Sequence, residues 1–208
     1  MIAIVDYGIG NLGSVTKGFR HVGAPTVLTG DPGELRRASA LVLPGDGAFA
    51  AAMEELEKRD LVGVLHDAVR RGVPLLGICI GMQLLFEESH EHGRHTGLGL
   101  LPGSVERFSD ELVVPHMGWN ALHQEHPHAL FEEIDEGAYV YFVHSYYCVA
   151  GNPDDVIATA DYGRPFAAVV GRGSVLGVQF HPEKSQSVGL RMVRNFARLV
   201  AAGPGRAA

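Results

Sequence analysis

The stretch VPLLGICIGMQLLFEES, residues 73–89, places one cysteine between two glycines where two different patterns meet. Its apolar beginning predicts a buried strand, and its continuation MQLLFEES, residues 82–89, predicts a helix. The chain must therefore turn at Cys79, and so tight a strand-to-helix turn holds its central residue in strained backbone geometry. Small neighbours, Gly77 and Gly81, leave room for such a turn.

Working outward, the first half of the chain alternates short apolar runs (MIAIV, PTVLT, SALVLPG, VPLLGIC) with helical patterns at Ser14 to His21 and Ala51 to Arg71. This alternation is typical of βαβ units around a parallel sheet. After about Gly97, strands separated by Gly, Pro and Asp predict hairpins and a meander, followed by one closing helix, Ser187 to Ala201.

We therefore expect an α/β fold with a central, mostly parallel sheet flanked by helices and with an antiparallel extension. The sequence shows neither an internal repeat nor a linker-like segment. One domain is expected over residues 1–201, and residues 202–208 are expected to form a frayed tail.

The composition limits which kinds of partner the protein can have. The chain has 208 residues, 46% of them hydrophobic, and a formal net charge of −7. The acidic balance without a Lys/Arg block argues against nucleic acid or a membrane as partner. No apolar stretch approaches the roughly 20 residues of a membrane span, and MIAIVDYGIG lacks the basic flank of a signal peptide. With two cysteines, Cys79 and Cys148, we expect free thiols in a reducing, cytoplasmic compartment.

Cys79 has two interpretations. A lone cysteine is often a small core hydrophobe. At a helix start, however, free N–H groups and the helix dipole favour the thiolate. The amide of Ile80, next to the sulfur, would then face an oxyanion formed by attack on a carbonyl.

The segment GVQFHPEKS, residues 177–185, offers the base that a nucleophilic thiol needs. His181 follows the apolar run Val175 to Phe180, so its ring is expected at a strand end. In an extended segment, positions i and i+2 share a side, so Glu183 can hold the imidazole in one tautomer. The alternative is a surface turn with an incidental ion pair.

The segment LVLPGDGAF, residues 41–49, runs from a strand into a loop at the same sheet edge as Cys79. Its exposed backbone suits a second oxyanion donor, from Gly45, Asp46 or Gly47. The alternative is a plain strand-to-helix turn.

These three motifs in this order resemble the class I, or triad, glutamine amidotransferases, whose glutaminase domain uses Cys, His and Glu to release ammonia from glutamine. DYGIGNLGSV, GLGLLPGSV, PHMGWN, YFVHSYY and FHPEKSQ narrow the resemblance to the glutaminase subunits of imidazole glycerol phosphate synthases. The resemblance implies Cys79 as nucleophile, His181 as general base and acid, and Glu183 as its orienter.

The resemblance also implies how substrate and partner bind. The implied substrate, glutamine, is held by Gln83, Glu91, Ser145 and Tyr146. The implied partner is a separate (β/α)₈ cyclase subunit, which receives the ammonia and makes imidazole glycerol phosphate and AICAR in histidine biosynthesis. The positions that match the interface and the ammonia gate are Asn11, Trp119, Tyr141 and Lys184.

Asp46 departs from the family's pattern, in which an apolar residue is more usual. A carboxylate that pointed inward would oppose a forming oxyanion, so we expect this side chain to point outward. A backbone N–H donor there does not depend on the side chain.

Other functions stay open. GIGNLG, residues 8–13, with Asp31 further on, has the spacing of a dinucleotide fingerprint. Histidines in SHEHGRH, residues 89–95, and in HQEHPH, residues 123–128, could bind zinc but lack nearby cysteines. A redox-sensing module would also use the cysteine at this strand-to-helix turn. So would a class I glutaminase with another ammonia acceptor. We expect no cofactor and no metal.

Overall fold

The computed structural model describes residues 1–203. The strands in this range are β1 (Ile2–Val5), β2 (Thr26–Thr29), β3 (Ala40–Leu43), β4 (Leu75–Ile78), β5 (Phe86–Ser89), β6 (His95–Thr96), β7 (Leu101–Arg107), β8 (His116–Ala121), β9 (His123–Gln124), β10 (Tyr139–His144), β11 (Tyr146–Ala150), β12 (Val156–Asp161), β13 (Pro165–Arg172) and β14 (Val175–Val178). The α-helices are α1 (Leu12–His21), α2 (Pro32–Arg37), α3 (Phe49–Lys58), α4 (Leu61–Arg70), α5 (Ile80–Gln83) and α6 (Gln186–Ala202). Short 3₁₀ helices cover Ala129–Phe131, Pro153–Asp155 and Pro182–Lys184.

The main sheet has the strand order β2-β1-β3-β4-β14-β13-β12-β9. The first five strands are parallel, and the last three continue the sheet in antiparallel pairing. Strands β1, β3, β4 and β14 are buried at every position, as expected for parallel strands covered on both faces. The predicted α/β fold with an antiparallel extension is confirmed.

Two smaller sheets complete the fold. One has the order β11-β7-β5-β6, and the other pairs β8 with β10. The apolar run AYVYFVHSYYCVA, which the sequence suggests as one strand, is divided at Ser145, so that β10 and β11 belong to different sheets.

The pairing of β14 with β4 joins the two halves of the chain. Val178 lies opposite Ile78 in parallel register, and the N–H of Cys79 donates to the carbonyl oxygen of Val178 at 2.8 Å. Because parallel strands end at the same edge of a sheet, the residues that follow β4 and β14 meet there. That edge carries both Cys79 and His181.

Two helix predictions are wrong in part. The predicted helix over 82–89 is the single turn α5 followed by β5, because this apolar run pairs with β7, and a short apolar run alone does not distinguish helix from strand. The predicted helix Ala51 to Arg71 is two helices, separated where Asp60 takes a left-handed conformation with φ of 55°.

The C-terminal prediction is partly testable. The closing helix α6 ends at Ala202, one residue beyond the predicted end. Ala202, which was expected in the frayed tail, therefore belongs to the helix. Residues 204–208 lie outside the described residues. Within residues 1–203, no helix combines the length and the apolar character needed to cross a bilayer.

Three glycines without side chains let the turn after β4 lie against the end of β3. A Cβ on Gly81 would lie 1.8 Å from the carbonyl oxygen of Leu43, and one on Gly77 would lie 2.5 Å from the carbonyl oxygen of Gly81. A Cβ on Gly45 would lie 2.6 Å from the Cβ of Ile80. The need for small residues beside the turn, inferred from sequence, is thus confirmed.

Gly81→Ala is expected to lower the free energy of unfolding by about 3 kcal/mol, because the added methyl group overlaps a backbone oxygen of β3. Gly63→Ala is the matched control: it lies in α4 with no atom within 4 Å of its added Cβ, and should raise stability by about 0.5–1 kcal/mol. Urea unfolding measures both. Equal stability of the two variants would contradict the packing at the turn.

Candidate active site

Cys79 occupies the predicted strained turn. Its backbone has φ of 56° and ψ of −113°, and the residue is 4% exposed. The helix that follows has four residues, so the dipole invoked from sequence is that of a single turn. The N–H of Ile80, first in this helix, has no acceptor within the helix and is available to an oxyanion.

His181 and Glu183 lie against each other at the same sheet edge. Nδ1 of His181 is 2.9 Å from Oε1 of Glu183, and the two side chains are 5% and 2% exposed. The contact is the one expected, but its local reason differs: Glu183 lies in the 3₁₀ helix Pro182–Lys184 and not in an extended segment. This 3₁₀ turn brings the carboxylate of Glu183 to the ring nitrogen Nδ1 of His181.

The charge state of His181 follows from these neighbours. Burial lowers the pKa of His181, but hydrogen bonds and charges of Cys79 and Glu183 outweigh burial and raise it from 6.5 to about 10. The imidazolium is therefore favoured at neutral pH. With Glu183 at Nδ1, Nε2 is the ring nitrogen of His181 that is left for another partner.

The loop between β3 and α3 packs over the turn. The hydroxyl of Tyr7 donates to the carbonyl oxygen of Pro44 at 2.6 Å, and Gly45 is pressed against the turn as described above. Burial raises the pKa of Tyr7, and the nearby charges of Cys79 and Asp46 add to the effect. The phenol therefore stays protonated and holds the loop by its carbonyl.

The Asp46 side chain is exposed, as expected, but it acts on the loop backbone. Its Oδ1 accepts the N–H of Gly47 at 2.9 Å. The expectation that a backbone donor here is independent of the side chain is therefore wrong for Gly47, whose N–H is already occupied.

The predicted glutamine-binding side chain of Gln83 is buried and is linked to the sulfur of Cys79 through Gln179. Its Nε2 donates to the carbonyl oxygen of Tyr146 and to Oε1 of Gln179, both at 3.1 Å. Gln179 in turn points Nε2 at the sulfur of Cys79, 3.9 Å away. The Oε1 of Gln83 is buried without a hydrogen-bond partner, which leaves an acceptor available.

Glu91 and Tyr146 border the same region. Oε2 of Glu91 accepts the N–H of Phe49 at 2.6 Å, at the start of α3 and directly after the loop. Tyr146 begins β11, and its ring lies edge-on to His92 at 6.3 Å between centroids. Ser145 lies between β10 and β11, where its carbonyl oxygen accepts the N–H of Phe108.

The four predicted partner positions lie near this edge. Asn11 caps α1 by accepting the N–H of Ser14, and Lys184 is exposed. Trp119 and Tyr141 are cross-strand neighbours on β8 and β10, with ring centroids 5.8 Å apart. The carbonyl oxygen of Tyr141 accepts the N–H of His181 at 3.0 Å, so this pair borders the site directly.

Three residues at the site were missed from sequence: Tyr7, Gln179 and Ser185. Ser185 donates to the carbonyl oxygen of His181 at 2.7 Å and accepts the N–H of Tyr141 at 2.9 Å. The sequence does mark Gln179, because it is a polar residue between an apolar strand and the histidine. The structure buries it fully. Nothing in the local sequence marks Tyr7 or Ser185, since their contacts are made across the fold.

The other motifs have structural roles. Asp31 caps α2 by accepting the N–H of Glu34 at 2.7 Å. Nδ1 of His90 is 2.9 Å from Oε2 of Glu106. Among residues 1–203, no group of three His, Cys, Asp or Glu side chains is arranged to hold a metal ion.

Comparison with known proteins identifies the family of the chain. A family model for class I glutamine amidotransferases matches residues 3–200. The HisH subunit of imidazole glycerol phosphate synthase from Salinibacter ruber is 54% identical over 96% of this chain and 94% of its own. The corresponding subunit from Moorella thermoacetica is 51% identical over 96% and 95%.

Solved structures agree in fold. A glutamine amidotransferase crystal structure superposes with a TM-score of 0.76 at 20% identity, over 96% of this chain and 98% of its own. PurLQS from Thermotoga maritima gives 0.75 at 18% identity, over 97% of each chain. The chain therefore belongs to the class I glutamine amidotransferases and, within them, to the HisH family of imidazole glycerol phosphate synthase subunits.

Asp46→Ala is expected to raise glutamine hydrolysis by the isolated chain about threefold or more, because it frees the N–H of Gly47 and one oxyanion donor contributes roughly 10²–10³ in rate. Asp46→Asn is the control, since it keeps an acceptor for that N–H while removing the charge. A rise in both variants would assign the effect to charge, and a rise in neither would contradict a restraining role for Asp46.

The raised pKa of His181 predicts that its imidazolium persists above pH 6.5 and titrates near pH 10. Glu183→Gln should lower that value, because it removes the charge that the ring faces. NMR titration of the ring measures both proteins. Since the native state holds this proton more tightly than the unfolded chain, the free energy of unfolding should fall as pH rises through this window, less steeply in the variant. Identical titrations would exclude the ion pair.

Proposed function

We propose that this chain is the glutaminase subunit of an imidazole glycerol phosphate synthase, hydrolysing glutamine through Cys79, His181 and Glu183. The observation that carries the proposal is the buried contact of His181 with Glu183 at the sheet edge that also carries the strained Cys79. The family of the chain supports the same reaction.

In the proposed reaction, the sulfur of Cys79 attacks the side-chain amide carbon of glutamine. The oxyanion that forms is stabilised by the N–H of Ile80 and by a second N–H from the loop of Gly45, Asp46 and Gly47. The imidazolium of His181 gives its proton to the departing nitrogen, the C–N bond breaks, and ammonia leaves a γ-glutamyl thioester.

The second half regenerates the enzyme. The neutral His181 takes a proton from water, and the resulting hydroxide attacks the thioester carbonyl. Collapse of this intermediate breaks the C–S bond, releases glutamate and restores the thiolate beside the imidazolium. Glu183 keeps Nδ1 protonated throughout, so that Nε2 exchanges the proton.

We assign substrate binding to four residues, Gln83, Glu91, Ser145 and Tyr146. We assign the free Oε1 of Gln83 to a donor group of glutamine, and the carboxylate of Glu91 to its ammonium. The backbone of Ser145 and Tyr146 completes the site. The buried position of Gln83 supports a role beyond surface solvation, because such an acceptor is otherwise costly to leave unpaired.

The proposed partner is a cyclase subunit that receives the ammonia. Its docking is supported by exposed apolar side chains on the sheet of β8 and β10: Met117 is 62% exposed, Trp119 42% and Tyr139 59%. Exposed patches of this kind mark protein interfaces. Asn11, Tyr141 and Lys184 lie at the rim in this proposal. The cytoplasm is the proposed compartment, which two free cysteines suit.

Cys79→Ser is expected to reduce glutamine-dependent synthesis by the complex with its cyclase by roughly a thousandfold or more, while synthesis from added ammonia continues. Cys148→Ala is the control, because this second buried thiol has no place in the proposed chemistry. Glutamate release and product formation are measured separately. Normal glutamate release by Cys79→Ser would refute the nucleophile, and activity only with a different acceptor subunit would refute the proposed partner.

A further inference from the structure

A chain of hydrogen bonds, buried at its first two links, runs from Tyr146 to β8. Nδ1 of His144 is 2.7 Å from the carbonyl oxygen of Tyr146, and its Nε2 is 3.1 Å from Nδ1 of His116. Nε2 of His116 is 2.8 Å from Oδ1 of Asn120, whose Nδ2 donates to the carbonyl oxygen of Asp161 at 2.7 Å. Neither histidine belongs to the proposed reaction.

The chain ends on a carbonyl that the substrate site also uses. The oxygen of Tyr146 accepts both from His144 and from Nε2 of Gln83. Because a carbonyl oxygen only accepts, Nδ1 of His144 must carry a proton. Two buried donors therefore fix the direction of the Tyr146–Tyr147 peptide at the start of β11.

Burial lowers the pKa of His144 to about 3, so the ring is neutral and its single proton is committed to Tyr146. Burial also lowers the pKa of His116. Since Asn120 donates through Nδ2, its Oδ1 needs the proton of His116. Two neutral rings then have no proton for their mutual contact, which is the longest of the series at 3.1 Å.

The orientation of His116 is therefore set by its hydrogen bond to Asn120 and by packing, and not by His144. Its ring stacks on Tyr162 at 4.0 Å and on Phe142 at 5.3 Å between centroids. His144 itself lies beside Phe108 and Phe166, at 5.3 and 5.2 Å. The directed donor in the pair is His144, and His116 supports it sterically.

We propose that His144 is a positioning residue of the glutaminase reaction, whose Nδ1–H holds the Tyr146 carbonyl and thereby the Ser145–Tyr146 backbone against which glutamine binds. The inference rests on the proposed function. It separates His144 from its aromatic neighbours, which fill the same cluster but offer Tyr146 no hydrogen bond. The effect of losing His144 must then appear in substrate binding and not only in stability.

The test compares three variants of the full chain in complex with its cyclase. His144→Leu removes the donor and is expected to raise the KM for glutamine about tenfold with kcat within about threefold, because it leaves a buried carbonyl with one donor fewer. His144→Asn places a side-chain N–H near the position of Nδ1 and should return KM to within about threefold of the original. Phe166→Leu is the control and should lower the Tm without changing KM.

The outcomes separate the inference from the proposed function. An unaltered protein that hydrolyses no glutamine would refute the proposed function. If that protein is active, an unchanged KM in His144→Leu, or an equal rise in His144→Asn and Phe166→Leu, would overturn the positioning role. Should His144→Leu fail to fold, His116→Leu replaces it: a KM change smaller than threefold, with His144→Asn active, supports His144 as the directed donor, and a larger rise contradicts it.

Discussion

The close approach of two backbones, the turn after β4 and the end of β3, is the constraint on which the site depends. Gly81 lies so near the carbonyl oxygen of Leu43 that no side chain fits between them. The turn can then hold Cys79 at φ of 56°, a conformation that a residue with a side chain rarely adopts. Pairing of its N–H with Val178 offsets part of this strain. The sulfur is thus presented at a sheet edge by packing and not by a long helix.

The second strand at this edge, β14, places two further polar residues at the site. Strand β14 is followed by Gln179, directed at the sulfur, and then by His181. The backbone of His181 is held by Tyr141 and Ser185, so the histidine and the exposed sheet of β8 and β10 form one hydrogen-bonded unit. A partner seated on that sheet would touch strands whose backbone is bonded to His181. Burial keeps water away from these contacts. Charge interactions are stronger in the protein interior than in water, because the dielectric constant is lower there.

Several local expectations were wrong in part. MQLLFEES has a pattern that suits a helix, yet its second half pairs as β5 with β7, because an apolar run of this length is compatible with either structure. Glu183 reaches His181 through a 3₁₀ turn and not through strand alternation. The side chain of Asp46 points outward, as expected, and still occupies the N–H of Gly47. A strand distant in sequence decided the first outcome, a local 3₁₀ turn the second and a backbone N–H the third.

The sequence by itself determined the parallel core, the glycine-flanked turn at Cys79 and the pairing of a histidine with a carboxylate two residues on, because these depend on periodicity and on residues that are close along the chain. Only the tertiary structure decided that Tyr7 holds the loop after β3, that Gln83 and Gln179 line the sulfur, and that His144 reaches the Tyr146 carbonyl. Those contacts join segments separated by tens of residues, with the exception of His144 and Tyr146, whose contact requires the break at Ser145. Hydrogen bonds depend on distance and direction in space, and no local pattern encodes either.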